Sequence, residues 1–124
     1  MTVDLQPRVV EKPWGHEEIF AQTADYVGKI LFIRQGEALS LQYHEVKEET
    51  LRVLDGSLEL VLGPDADSLE THILERGAVF HVSPGTLHRM IAVSDCNLLE
   101  VSTNHLDDVV RLEDRYGRRG TSAP

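Results

Sequence analysis

About nine short extended segments, separated by glycine, proline and acidic turns, fill the chain as far as residue 103, and no sustained helical period appears before residue 105. That pattern leaves an all-β barrel or sandwich, and a small double-sheet jelly roll fits the count of strands. The segments are read at residues 16–20, 26–33, 40–44, 49–54, 58–62, 69–74, 78–82, 88–93 and 96–103. Asp55-Gly56 is the strongest tight-turn signal and predicts a hairpin between its flanking strands. Residues 106–112 suit a short C-terminal helical turn, because Asn104 can cap it and Asp107 and Asp108 favour a first turn. Residues 1–10 read as an arm, and Arg118 and Arg119 as a solvated tail.

The 124 residues suit one domain with its own core, placed at about residues 12–118. A net charge of -9, from 21 acidic against 12 basic residues, argues against nucleic acid and anionic membrane as partners. Cys96 permits no internal disulfide, which fits a reducing cytoplasm, and in its strand it reads as a small core residue. No stretch reaches the roughly 18 apolar residues of a membrane helix, and the N-terminus lacks the regions of a signal peptide. The location expected is cytoplasmic.

Residues 36–56, GEALSLQYHEVKEETLRVLDG, carry the chemistry. A strand over residues 40–44 puts Gln42 and His44 on one face, with Leu41 and Tyr43 on the other. Glu49 opens a returning strand and shares a face with Leu51 and Val53, where an uncompensated carboxylate is costly to bury. The stretch therefore reads as half of a metal site on a β-hairpin, or as a solvated turn in which Glu49 joins Lys47 and Glu48. The metal reading takes Gln42, His44 and Glu49 as ligands with His88 as the fourth, and His81 as the rival to His88. His88, Met90 and Ala92 share one face of their strand, and His72 reads as solvent-facing.

Gly36, Gln42, His44, Glu49 and Gly56, followed by Gly77, Pro84, Gly85 and His88, resemble the two motifs of the cupin superfamily. Gln42 stands where the first histidine of that pattern usually lies. This departure resembles the phosphomannose isomerases, whose zinc site takes a glutamine, two histidines and a glutamate. Lys12-Pro13-Trp14-Gly15 and the run Val110-Arg111-Leu112-Glu113-Asp114-Arg115-Tyr116-Gly117-Arg118 resemble the opening and close of the cupin domain in bacterial type II phosphomannose isomerases, often fused to mannose-1-phosphate guanylyltransferase. Those domains commonly carry histidines where this chain has Glu45, Val46 and Thr50.

The resemblance implies a single cupin domain that is a homodimer with one divalent metal per chain, zinc first, with iron, manganese or nickel as alternatives. It implies aldose-ketose isomerisation of a sugar phosphate through a metal-stabilised enediolate. Gln42, His44 and His88 are neutral and Glu49 is the one anion, so the ion keeps net positive charge for an anionic enediolate. Glu100, flanked by apolar residues, is the candidate base, or else an outward glutamate paired with an arginine. Arg89, Arg111 and Arg115 are the candidate phosphate cations, each otherwise a surface ion pair, and Trp14 either fills the barrel mouth or meets substrate. The alternatives to the isomerase are a non-catalytic cupin that binds a sugar or nucleotide sugar, and an iron-dependent cupin dioxygenase.

Overall fold

The computed structural model describes residue 3, residues 5–118 and residues 120–121. Its strands are β1 (Arg8–Lys12), β2 (Gly15–Gln22), β3 (Val27–Ile33), β4 (Leu41–Tyr43), β5 (Glu49–Asp55) and β6 (Leu58–Gly63). They continue as β7 (Glu70–Leu74), β8 (Val79–Val82), β9 (Leu87–Ala92), β10 (Cys96–Ser102), β11 (Val110–Glu113) and β12 (Gly120–Thr121). All pairs are antiparallel, in two sheets of order β1-β2-β3-β10-β5-β8 and β12-β11-β4-β9-β6-β7.

Period-two patterning places the expected strands to within a residue or two. It does not place them in sheets. From β3 to β6 each strand lies in the sheet opposite its predecessor, and β8 to β11 alternate again. The expected hairpin between residues 40–44 and Glu49 therefore does not form: β4 pairs with β9 and β11, whereas β5 pairs with β10 and β8. Asp55-Gly56 is likewise a corner between sheets and not a tight hairpin, because β5 and β6 do not pair. A turn signal fixes a reversal of direction, but the twist of each sheet and the burial of both inner faces decide whether the next strand pairs or crosses over.

Gly56 shows what the corner demands. Its φ is +86°, and a Cβ there lies 2.1 Å from the carbonyl oxygen of Asp95. Gly56→Ala should destabilise the fold by about 3 kcal/mol, from left-handed backbone strain plus a backbone clash. A urea midpoint within experimental error of the parent would show that the corner relaxes freely.

Three expectations at the ends are corrected. Residues 8–10 are not part of an arm, since β1 (Arg8–Lys12) pairs with residues 15–19 of β2 through the Pro13-Trp14 turn. The helical turn over residues 106–112 is absent: Leu106 and Asp107 form a turn, Val110 begins β11, and Asn104 accepts a hydrogen bond from Gln22 Nε2. Asp108 serves as a loop anchor, described below, and that use competes with helix capping. Arg118 is no solvated tail, for its guanidinium is hydrogen-bonded to Asp114, while Arg119 lies outside the described residues.

The interior is divided into two ends. Leu31, Ile33, Leu51, Val53, Leu58, Leu60, Met90, Ala92 and Leu98 fill one end, with Trp14 and Cys96. Farther along the same strands, the inward positions become Lys29 on β3, Glu49 on β5, His88 on β9 and Glu100 on β10, all buried. The register aligns them: Glu100 lies opposite Lys29 and Leu51, and Ser102 opposite Glu49. The apolar end supplies the driving force for folding, and its rigidity fixes the backbone from which the charged end projects.

Candidate metal centre and cationic cleft

His44 follows β4, Glu49 opens β5 and His88 lies on β9, so the two sheets contribute jointly to one cluster. Glu49 Oε1 lies 3.5 Å from His44 Nε2 and 3.4 Å from His88 Nε2, with the imidazole centroids 5.0 Å apart. Each ring is oriented through its other nitrogen. His44 Nδ1 donates to the carbonyl oxygen of Asp108 at 2.6 Å, and His88 Nδ1 donates to that of Thr86 at 3.0 Å. Because a carbonyl only accepts, both Nδ1 atoms carry the proton, and a neutral ring then presents its Nε2 lone pair.

Both Nε2 atoms are buried without a hydrogen-bond partner among the described residues. With both rings neutral, two lone pairs face one carboxylate oxygen across a short gap, an arrangement that is repulsive unless a proton or a metal cation stands between them. The separations fit such an ion: donors about 2.0–2.1 Å from a zinc-like centre stand about 3.3–3.4 Å apart at the edges of a tetrahedron. His44, Glu49 and His88 therefore form a possible divalent-metal site, with the backbone carbonyls as the partners that orient its imidazoles. Gln42 lies directly opposite His88 in the β4–β9 register, so both side chains share the inner face. Its Oε1 accepts from the Ser40 hydroxyl at 2.6 Å. His81, the rival, is half exposed on the outer face, between Thr50 Oγ1 and Glu48, each at 2.8 Å. His72 is exposed beside Glu70.

Lys47 secures the other side of Glu49. Its ammonium lies 2.9 Å from Glu49 Oε2 and 3.1 Å from Glu100 Oε2, leaving Glu49 Oε1 to the histidines. Burial works to lower the Lys47 pKa, but Glu100 and Glu49 outweigh it and hold the ammonium above the usual lysine range. Burial likewise works to raise Glu49, and Lys47 is the main influence holding its carboxyl well below the ordinary value. Lys29 extends the chain of charges, 3.7 Å from Glu100 Oε2 and 3.1 Å from Glu17 Oε1. Asp108 anchors the loop that carries Lys47 by accepting from the backbone N–H groups of Glu45, Val46 and Lys47. Burial opposes its ionisation, yet these three donors keep its pKa below the usual carboxylate value.

A cleft opens beside the cluster, with Trp14, Gln42, His44 and Asp108 in its wall. Its charge is inverted relative to the whole chain, since Lys12, Lys29, Lys47, Arg111 and Arg118 line it against Glu17 and Asp108. Burial, then Lys29, Arg111 and Arg118, push the Lys12 ammonium below its usual range against the pull of Glu17. Burial and then Arg118 do the same to Arg111. An anion entering here relieves that mutual repulsion.

Trp14 is 2% exposed, packs in the core and lines the cleft wall. Arg111 lines the cleft. Arg89 and Arg115 do not line it: Arg89 Nε donates to the Leu39 carbonyl and its Nη2 to that of Glu113, while Arg115 donates to the carbonyl of Gly36. Both serve as straps between strands and loops: Arg89 alternates with the inward His88 on β9, and Arg115 projects from the turn after β11. Glu100 is buried, as one of its two readings required, but behind Lys47 and not in the cleft wall. Sequence reasoning missed Lys12, Glu17, Lys29, Lys47, Asp108 and Arg118 as parts of the site. Lys29 left a signal, since it alternates with Val27, Leu31 and Ile33 on an inward face.

Comparison with known proteins places the chain in a family and a fold. Residues 30–102 match the family described as Cupin domain. The mannose-1-phosphate guanylyltransferase 2 of Escherichia coli O157:H7 is 30% identical over 119 residues, which are 90% of this chain and 23% of that protein. The chain thus spans about a quarter of this relative's length. Among solved structures, KdgF from Halomonas sp. superposes with a TM-score of 0.71 at 20% identity, over 81% of this chain and 88% of that one. Lactobacillus farciminis oxalate decarboxylase superposes at a TM-score of 0.72 and 20% identity, over 86% of this chain and 33% of that one, so it shares the fold. Among the described residues no helix is long and apolar enough to cross a membrane.

Proposed function

The chain belongs to the cupin family, and from that premise we propose that it is a metal-dependent isomerase interconverting the aldose and ketose forms of a sugar phosphate. The observation that carries this reading is the pair of orphaned Nε2 atoms aimed at Glu49 Oε1, each ring fixed by a backbone carbonyl. His44, Glu49 and His88 would hold the ion, with Gln42 beside them, and zinc is the ion proposed. When bound, the metal supplies Lewis-acid stabilisation of the negative charge that develops on the sugar oxygens.

The chain's own residues do the rest. Lys12, Arg111 and Arg118 face an anion, which supports a phosphate ester as the substrate class, and the relative named for mannose 1-phosphate supports a sugar phosphate. Trp14 covers apolar surface beside them and limits water at the inner wall. Lys47 and Lys29 neutralise the buried carboxylates so that the ligand geometry is held before substrate arrives.

Purified protein loaded with zinc should interconvert mannose 6-phosphate and fructose 6-phosphate or a related pair. Arg118→Gln should raise KM about tenfold or more with kcat little changed, because it removes charge from the anion site and not from the reacting carbons. Tight binding without turnover would replace the isomerase by a sugar-phosphate-binding cupin. Absence of both binding and turnover would remove the assignment.

A further inference from the structure

We propose that Glu17, and not Glu100, is the carboxylate that meets the sugar and exchanges its carbon-bound proton; the proposal rests on the isomerase reading above. Glu17 is 6% exposed and sits in the wall of the cleft that also holds Gln42 and His44. Its two oxygens are differently placed. Oε1 is held by the Lys29 ammonium at 3.1 Å, whereas Oε2 is buried without a hydrogen-bond partner among the described residues. A buried carboxylate oxygen left unpartnered is costly, and such atoms in native proteins mark a missing ligand or a reacting group.

Glu100 contrasts with it on each point. Its Oε2 accepts from Ser102 at 3.0 Å, lies 3.1 Å from Lys47 and 3.7 Å from Lys29, and the residue is absent from the cleft wall. That oxygen is committed to Ser102 and the two lysines. Glu17 stands on β2, which is paired on both sides by β1 and β3, so a rigid strand presents it to the cleft.

The step balances without a co-reactant. The C2–H bond of the aldose breaks, its proton passes to Glu17 Oε2, and the electron pair forms a C1–C2 double bond as the carbonyl electrons move onto O1. Return of that proton from Glu17 to C1, with transfer of the O2 hydroxyl proton to O1, forms the C2 carbonyl of the ketose and restores the carboxylate.

Glu17→Gln keeps an oxygen acceptor for Lys29 and removes the base. In zinc-loaded protein kcat should fall about 10²–10⁴-fold, with KM within roughly twofold and metal content unchanged. A merely structural Glu17 would not produce that split. In protein carrying 13C-labelled glutamate, the Glu17 carboxyl resonance, assigned by its loss in Glu17→Gln, should shift on addition of mannitol 1-phosphate and stay fixed with inorganic phosphate. Full kcat in Glu17→Gln beside an active parent overturns the proposal while the isomerase reading stands, as does a change in KM alone. If the parent turns over no sugar phosphate, the isomerase reading fails and the resonance decides: an unmoved signal overturns Glu17, and a shifted one keeps it as the group facing the ligand.

Discussion

His88→Ala is expected to bring the metal content of the purified protein from about one ion per chain to below about a tenth, and turnover down by at least about 10³-fold. The argument follows from the geometry of a shared point. His88 and His44 approach Glu49 Oε1 at 3.4 and 3.5 Å, so removing one imidazole leaves one nitrogen and one carboxylate oxygen of the cluster to hold the ion. Lewis-acid stabilisation supplies several kcal/mol of the barrier reduction, and each 1.36 kcal/mol, about one factor of ten, adds to the loss. Elemental analysis reads the first quantity and steady-state kinetics the second. Undiminished metal in His88→Ala would place the ion elsewhere in the chain.

Lys47→Met should cost about 3–5 kcal/mol of unfolding free energy in metal-free protein, because it leaves Glu49 and Glu100 buried without the cation both share. The loss should be smaller in the metal-loaded protein, where the ion compensates Glu49. Adding Glu100→Gln to Lys47→Met should recover part of the stability, since the two sites are in contact and their effects are not additive. Urea denaturation of parent, single and double variants, each with and without zinc, reads these differences. A cost below about 1 kcal/mol in the single variant would mean that the buried charges are hydrated and that Lys47 does not hold Glu49.

These two expectations draw on different kinds of information. His88 was visible in the chain because it follows Pro84-Gly85 in a segment resembling the second cupin motif, on a strand where His88, Met90 and Ala92 share a face, and all three are buried in the structure. Glu49 was visible for the same reason, alternating with Leu51 and Val53. Lys47 was not visible as a site residue. It lies between β4 and β5 next to Glu48 and Glu49, where a lysine ordinarily belongs to a solvated turn, and only the crossing from one sheet to the other carries it inward. Asp108 was misread for a related reason. A polar residue near a possible helix start has a local use as well as a distant one, and its partners at residues 45–47 are remote in the chain.

The arginines divide along the same line. Arg89, Arg111 and Arg115 are chemically equivalent candidates for a phosphate, yet only Arg111 lines the cleft, with Lys12 and Arg118 beside it. Strand parity separates Arg89 from His88, its inward neighbour, and that much the alternation on β9 already required. Nothing local distinguishes Arg115 from Arg118, three positions apart in one turn.

Alternation at period two and the placing of glycine and proline determined, from the chain alone, that it folds as strands and where most of them run, and the resemblance to the cupin motifs singled out Gln42, His44, Glu49 and His88. The assignment of successive strands to opposite sheets, and with it the meeting of those side chains, the cationic cleft and the buried carboxylate at Glu17, was decided only by the tertiary structure. The physical reason is that alternation specifies which side of a strand is buried. Which strand lies across the barrel, and hence which charges share one low-dielectric interior, depends on the twist and closure of both sheets together.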